Sequence, residues 1–431
     1  MKIGILGGGI SGLALGYFLR HEYEILEKES ECGGLCRSFQ KNGFTYDQGG
    51  HIIFSKDKEI LNLEVELLAD NVHQRFRQNK IWYKNRFVKY PFENGLHALD
   101  KEDIFDCLYH YLTDEFPQPT NLEEWCYATF GKGIAERYLL PYNHKIWNMH
   151  PTRMGLEWVD RIPKPPLEDV LKSAIGIETE GYTHQLHFYY PQRGGIQSLV
   201  KAFERKVGNV RRNFTVQEVR RDSGSWVVAS GTESRRYDLV VSTIPVIDLV
   251  PMLPEVSEEV QRAVGNLRYN SLIIILLGLN RPVVGDLTAL YVPDPDCLAH
   301  RLCFNKYFSD DLVPEGCSSI IGEISVNPGD GVYEMSDSQL TEKLIWWLAK
   351  EGFINGGDVC ATDVRRIKFA YPVYDLDYTA NTTIIRRWYE EMGIRPLGRF
   401  AEFIYINMDA CVRNAKTLAE KLNSLEEKWQ G

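Results

Sequence analysis

The chain has 431 residues and a formal net charge of −10, which allows two or three lobes and argues against nucleic acid as a partner. Its composition, 44% hydrophobic and 25% charged, is that of a globular protein, and the longest apolar run, Leu272 to Leu277, is too short to span a bilayer. Nine scattered cysteines without a CxxC pair argue against a disulfide framework or a zinc site, so no metal is expected and the thiols read as reduced, in a cytoplasmic setting.

Met1 to Leu6 runs straight into a glycine turn rather than into the long apolar stretch of a secretory leader. Lys2 to Leu6 reads as a strand, Ser11 to Arg20 as an apolar helix and Glu22 to Glu27 as a second strand, a βαβ opening. A helix-rich middle follows over about Asp100 to Trp147, punctuated by Pro117, Pro119, Gly131 and Gly133, and the Pro-rich patch at Ile162 to Pro166 reads as a boundary loop. Strands are expected at Thr215 to Arg220, Trp226 to Ala229, Leu239 to Thr243 and Ser271 to Leu277. A helix near Gln339 to Glu351 and a last one from about Asp409 to Leu422 complete the order. The fold class is α/β: a discontinuous Rossmann-type dinucleotide-binding domain (residues 1–95, 191–265 and 365–431), a helical insertion (96–150), and a mainly antiparallel sheet domain for substrate (151–190 and 266–364).

Gly7-Gly8-Gly9-Ile10-Ser11-Gly12 fits GxGxxG between a strand and a helix, and Glu27 ends the next strand twenty residues after Gly7. Gly7 suits the tight turn, Gly9 a close approach of backbone to pyrophosphate, and Gly12 helix–strand packing. Ile10 and Ser11 open the helix, whose N-terminal N–H groups and dipole favour phosphate, and Glu27 can accept from an adenosine ribose.

The continuation Glu27-Lys28-Glu29-Ser30-Glu31-Cys32-Gly33-Gly34-Leu35-Cys36-Arg37-Ser38 resembles the Glu-Lys, Gly-Gly, Arg extension of the two-dinucleotide-binding-domain flavoproteins. That class includes amine oxidases, protoporphyrinogen oxidases, phytoene desaturases and UDP-galactopyranose mutases. The resemblance implies FAD, with Lys28, Gly34, Leu35 and Arg37 along the flavin-side phosphate and ribityl chain, and Val216 presenting backbone to adenine. Leu239 to Pro245 resembles a strand common to the class.

Five further stretches resemble the UDP-galactopyranose mutases. Gly49-Gly50-His51-Ile52-Ile53-Phe54 is similar to that family's flavin-facing Gly-x-His-Ile-Phe-His run, with Phe54 in place of the second histidine; this implies flavin contact by Gly50, His51 and Ile52. Asn121 to Glu124, Phe130-Gly131, and then Tyr142 and Trp147, resemble a helical domain whose tyrosine and tryptophan grip uridine. Arg161-Ile162-Pro163, fourteen residues after Trp147, resembles an Arg-x-Pro whose arginine pairs with the diphosphate. Tyr269-Asn270-Ser271-Leu272 resembles Tyr-Arg-Ser/Thr-Leu, with Asn270 where the family has a second diphosphate arginine. Gly398-Arg399 through Tyr405, Asn407, Met408 and Asp409 resembles the closing motif: Arg399, Asn407 and Met408 then contact flavin, Tyr405 lies near the sugar phosphate, and Tyr371 belongs to a Tyr-Pro loop over the substrate.

The resemblance implies an FAD-dependent mutase that interconverts pyranose and furanose forms of a nucleotide sugar through an adduct of reduced-flavin N5 with the sugar, a reaction of cell-surface polysaccharide biosynthesis. His51, Arg161 and Tyr405 are its candidate catalytic residues; Tyr142, Trp147, Arg161, Asn270, Tyr371 and Tyr405 would bind the nucleotide-diphosphate sugar. An external reductant such as NAD(P)H is implied, and a homodimer is one assembly compatible with the sequence. Asn270 and Phe54 depart from the family pattern and put its usual substrate in doubt. The alternatives are an FAD oxidoreductase of the amine oxidase or protoporphyrinogen oxidase type, which shares the N-terminal motifs, and a flavin-binding relic without turnover.

Overall fold

The computed structural model describes residues 1–180, 186–283 and 285–427. A parallel five-stranded sheet has the order Arg395–Pro396, Leu239–Ser242, Lys2–Leu6, Glu22–Leu26, Val210–Arg211. Its strands come from four distant segments, so this lobe is assembled from a discontinuous chain. Ile3, Ile5 and Leu6 are fully buried, as expected for a central parallel strand covered on both faces. The helix Ile10–Phe18 packs on one face together with the terminal helix Met408–Glu427, through Leu13, Val412, Ala415 and neighbours. A three-stranded meander, Glu218–Asp222, Ser225–Ser230 and Glu233–Tyr237, lies on the other side; its first strand starts later than the expected Thr215, although the Gln217 N–H already donates to the Ala229 carbonyl at 2.9 Å.

A seven-stranded sheet faces this lobe in the order Val359–Val373, Arg268–Leu279, Ser318–Val326, Arg301–Phe304, Ala289–Tyr291, Asn79–Tyr83, Arg86–Lys89. The last two strands come from a stretch the sequence reading assigns to the dinucleotide domain; Asn79–Tyr83 joins the sheet by a parallel pairing with Ala289–Tyr291. The apolar run in Arg268–Leu279 is continuous because both its faces are covered. Ile273, Ile275 and Leu277 pack against Leu340, Leu344 and Trp347 of the helix Asp337–Lys350, while Ile274 and Leu276 belong to the opposite core layer. That helix starts on a capping box made by Ser336 and Gln339.

The helical part holds Lys101–Thr113, Leu122–Ile134 and, after a wide turn at Ala135–Leu139, Leu140–Trp147. Gly131, read from sequence as a break, kinks the helix with φ +68° and ψ 166°, and both Gly131 and Gly133 sit at a helix–helix contact. A Cβ on Gly131 would lie 2.4 Å from the His110 carbonyl and one on Gly133 2.6 Å from the Asp106 carbonyl, so only glycine lets these helices approach so closely. Among the described residues, no helix is long and apolar enough to cross a membrane, and no His, Cys, Asp and Glu cluster could hold a metal ion.

Buried acids are expected to give this fold a pH dependence, and Glu64 carries the largest upward shift among Glu64, Glu93 and Asp47. Glu64 is 1% exposed in the helix Lys58–Leu68, neither of its carboxyl oxygens has a partner, and burial, with Asp409 nearby, raises its pKa from 4.5 to about 8. A folded value above the unfolded one means that stability is lost as pH rises from about 4.5 through 8. Burial raises the pKa of Glu93 to about 7 and that of Asp47 to about 6 as well, so Glu64→Gln is expected to reduce the fall in melting temperature with pH rather than abolish it, most clearly between pH 7 and 8; an unchanged slope there would show that Glu64 does not contribute.

Candidate active site

The dinucleotide turn has the geometry that its glycines suggest. Gly7 has φ +108°, and a Cβ there would lie 2.2 Å from Thr243 Oγ1. One on Gly12 would lie 2.1 Å from the Gly7 carbonyl oxygen, whereas one on Gly9 would meet nothing nearer than Gly34 Cα at 3.9 Å. Space is therefore kept open over Gly9, where the helix Ile10–Phe18 begins with no side-chain cap and no acid in its first turn. The buried Glu27 carboxylate accepts from the N–H groups of Gly8 at 2.8 Å and Glu29 at 2.9 Å, with lone pairs remaining for a ribose. Arg37 donates from Nη2 to the Glu31 carbonyl, but its buried Nε–H has no partner among the described residues. An open cradle, an uncapped helix end and an orphaned guanidinium N–H fit a bound dinucleotide. Lys28 is exposed beside Glu29, and Val216 is buried in the adjoining core.

From this turn the chain leads to a cavity of about 1390 Å³, counting its open mouth, between the dinucleotide lobe and the seven-stranded sheet. Leu35, Gly50, His51, Ile52, Asn407 and Met408 contribute one wall. The Asn407 carbonyl accepts the Cys411 N–H at 3.0 Å as the terminal helix begins. The sheet supplies the opposite wall through strand alternation: Asn79, Tyr291, Arg301 and Cys303 all face the cavity. Tyr291 is directly opposite Arg301, which is directly opposite Glu323.

Four arginines line the cavity, and no Asp or Glu does so among the described residues. The Arg161 guanidinium lies 4.7 Å from the Tyr405 ring centre and 5.8 Å from that of Trp158, and it donates to the Tyr405 carbonyl. Arg399 sits 4.8 Å from the same Tyr405 ring and donates to the Ile406 carbonyl at 2.6 and 3.0 Å and to the Ala370 carbonyl at 3.2 Å. Tyr371 stacks on Tyr405 at 5.7 Å. Arg77 donates to the Tyr291 hydroxyl at 3.2 Å at the far end of the sheet wall. Arg301 binds Glu323 through Nε at 3.0 Å and Nη2 at 2.6 Å. Burial pushes the Glu323 carboxyl upward, but Arg301, His300 and the Gly50 N–H outweigh it and hold the pKa below its ordinary value. The His51 Nδ1 lies 2.9 Å from the Gly49 carbonyl, and burial, with Arg399 adding to it, lowers the ring pKa to about 4, so the imidazole is neutral at pH 7.

Three residues expected at the substrate lie elsewhere. Trp147 is 1% exposed and its indole N–H is taken by Asn143 at 3.2 Å; the indole on the cavity wall is Trp158, packed edge-on against Trp147 at 4.5 Å. Tyr142 lies behind the wall, stacked on Tyr138 and edge-on to Tyr291. Asn270 is 1% exposed and donates to the Ile146 carbonyl at 3.0 Å. Asn270 brings no cation to the cavity wall, whereas Arg301, thirty-one residues later, lines it. A signal for it was present: Glu323 is the one charged residue in the apolar strand Ser318–Val326, and a carboxylate there requires a cationic partner.

A family model described as flavin containing amine oxidoreductase matches residues 10–350. Among solved structures, a reduced UDP-galactopyranose mutase is similar over 98% of this chain and 96% of its own, with TM-score 0.90 and 26% identity. A putrescine oxidase variant (TM-score 0.68, 12% identity, 98% and 99% covered) and a CLA-producing fatty acid isomerase from P. acnes (0.66, 15%, 97% and 98%) share the fold. Among curated proteins, the 4,4'-diapophytoene desaturase of Staphylococcus aureus strain COL is 38% identical over 60 residues; these are 13% of this chain, which spans only 12% of that relative's length. The family is a flavin-containing one, and FAD is the flavin that the dinucleotide turn implies. The match over residues 10–350 covers well over half of the sequence, and the chain belongs to the flavin-containing amine oxidoreductase family.

Proposed function

We propose that the protein is an FAD-dependent mutase that interconverts the pyranose and furanose forms of a nucleotide-diphosphate sugar and acts with its flavin reduced. One observation carries the reading: among the described residues, four arginines and no acid line the cavity of a chain whose net charge is −10. Such a lining attracts a diphosphate and repels the ammonium group of an amine substrate. The aromatic wall of Trp158, Tyr371 and Tyr405 suits a base or sugar face. Likeness to a reduced UDP-galactopyranose mutase along nearly the whole chain adds support.

Held at Gly9, Gly50, His51 and Ile52, reduced FAD would supply an electron pair for the anomeric carbon. The chain's own residues bind and orient. Arg161 and Arg301 clamp the diphosphate with charge-assisted donors, and Tyr405 and Tyr371 hold the sugar phosphate over Gly50 and Ile52. His51 donates from Nδ1 to the Gly49 carbonyl, which leaves Nε2 as a fixed acceptor toward the cavity. An external reductant such as NAD(P)H keeps the flavin reduced.

The test is anaerobic incubation of the FAD-loaded protein with a panel of nucleotide sugars, with and without dithionite. Ring isomers in large excess over protein, formed only after reduction and without matching loss of reductant, are the expected result. Stoichiometric peroxide from an amine or a porphyrinogen, with no isomerisation, would establish an oxidoreductase instead. Bound flavin with neither activity would leave a relic.

Within this reading, Arg161→Ala is expected to weaken binding of UDP by about 1.5–3 kcal/mol, roughly 10- to 150-fold, through loss of a charge-assisted contact. Flavin content should stay at the wild-type level, because the Arg161 guanidinium rests on Tyr405 and Trp158 and not on the dinucleotide turn. Loss of flavin with unchanged UDP affinity would place Arg161 in the wrong site.

A further inference from the structure

Glu323 is a fully buried carboxylate in the middle of a central strand whose neighbours Ile320, Ile321 and Ile324 are apolar. A buried ion pair seldom adds stability over an apolar pair of similar volume. Its placement here calls for an explanation in terms of geometry. The two oxygens serve different parts of the molecule. Oε2 receives the Arg301 Nε–H and Nη2–H at 3.0 and 2.6 Å, across directly opposed positions of adjacent strands. Oε1 receives the Gly50 N–H at 2.8 Å, from the dinucleotide lobe's turn at Gly49, Gly50 and His51. The Cys303 thiol approaches the same oxygen at 3.5 Å.

The contacts leave little slack. A Cβ on Gly50 would lie 3.1 Å from Cys303 Sγ and 3.2 Å from both Arg301 Nη2 and Glu323 Oε1. The turn thus rests directly on the ion pair. Of the five guanidinium N–H groups, two are held by Glu323 and the rest stay available to the cavity. The carboxylate therefore fixes both the direction of an anion-binding fork and the position of a turn on the opposite wall.

Taking the flavin and the nucleotide diphosphate to bind as proposed above, we infer that Glu323 is a positioning residue that couples the two: an anion drawn onto Arg301 is felt, through the shared carboxylate, at the Gly50 turn beside the flavin. By linkage, the affinity for nucleotide then differs between oxidised and reduced protein, and nucleotide shifts the flavin midpoint potential by the equivalent amount.

The experiment uses the full-length FAD-loaded protein and UDP as probe. UDP dissociation constants are measured anaerobically with the flavin oxidised and reduced, and the flavin midpoint potential with and without saturating UDP. Wild type is expected to show a ratio between the two constants of about fivefold or more, the lower end of ordinary coupling. Glu323→Gln keeps the size of the side chain and an oxygen for Gly50 but no longer attracts Arg301; its ratio should fall to within about twofold of one, with the UDP-induced potential shift falling in parallel. Arg301→Lys keeps the charge without the two-point contact and should lose the coupling likewise, which carries the test if Glu323→Gln fails to retain flavin. A wild-type ratio of one, or an unchanged ratio in either variant that holds flavin, overturns the coupling while the nucleotide reading stands. Absence of UDP binding to wild type in both redox states overturns both.

Discussion

Arg301→Ala should destabilise the folded protein by about 3–5 kcal/mol at pH 7, because it leaves the Glu323 carboxylate buried with its principal partner gone. The loss should depend on pH in a definite direction. In the wild type, Arg301 and its companions hold the Glu323 pKa below its ordinary 4.5, so the stabilisation is present above that value and is lost as pH falls through the folded one. In the variant, burial becomes the dominant influence and moves the folded pKa above 4.5. Its stability is then lost as pH rises, and the deficit relative to wild type should shrink between pH 7 and pH 5. Denaturant midpoints at several pH values check this. Arg301→Met combined with Glu323→Leu should recover part of the deficit, since the two apolar side chains need no partner, although the Gly50 N–H then loses its acceptor. A deficit that is independent of pH, or a double variant no better than the single one, would falsify the ion-pair account.

Gly9→Val should give a folded protein that contains no flavin. The new Cβ meets only open space, with Gly34 Cα 3.9 Å away, so the apoprotein has no reason to rearrange. The space it enters is where the backbone must approach the pyrophosphate, and a branched side chain closes it. Gly12→Val makes the informative contrast: its Cβ would lie 2.1 Å from the Gly7 carbonyl oxygen, a backbone clash that disrupts the helix–strand packing itself. Circular dichroism and thermal melting should therefore separate the two variants, while absorbance at flavin wavelengths is lost in both. Retention of FAD by Gly9→Val would mean that the cofactor does not lie over this turn.

These two sites differ in how far they can be read from sequence. Gly7, Gly9, Gly12 and Glu27 are set by backbone conformation within one βαβ unit, so their spacing carries the information. Arg301 acquires its role through register with Glu323, twenty-two residues away, and with Tyr291 on the other flank. Nothing local distinguishes it from a surface arginine. The tryptophans fail for a related reason. Trp147 and Trp158 lie eleven residues apart, and which of them reaches the cavity depends on how the helix Leu140–Trp147 meets the following turns. Gly131 breaks its helix, as glycine's poor helix propensity suggests; the close helix crossing that also needs Gly131 and Gly133 becomes visible only when both partners are in place. The continuous apolar run at Leu272 to Leu277 correctly indicates a strand covered on both faces, but not which of its alternating residues would underlie the cavity.

The alternation along Arg301–Phe304 limits where evolution can edit this site. Arg301 opposes Glu323 toward the cavity, while the next residue, Leu302, opposes Gly322 on the opposite face, where a side chain at 322 would lie 2.6 Å from Leu344. Deleting one residue inside the strand would turn the guanidinium toward the Leu344 and Trp347 layer and present a leucine to the ligand. Changes of length in residues 293–299 or 305–317 leave that parity untouched, because they fall outside the residues hydrogen-bonded across the strands. Descendants of this chain can thus diversify their rim by insertion, whereas the charged floor can change only by substitution, residue for residue.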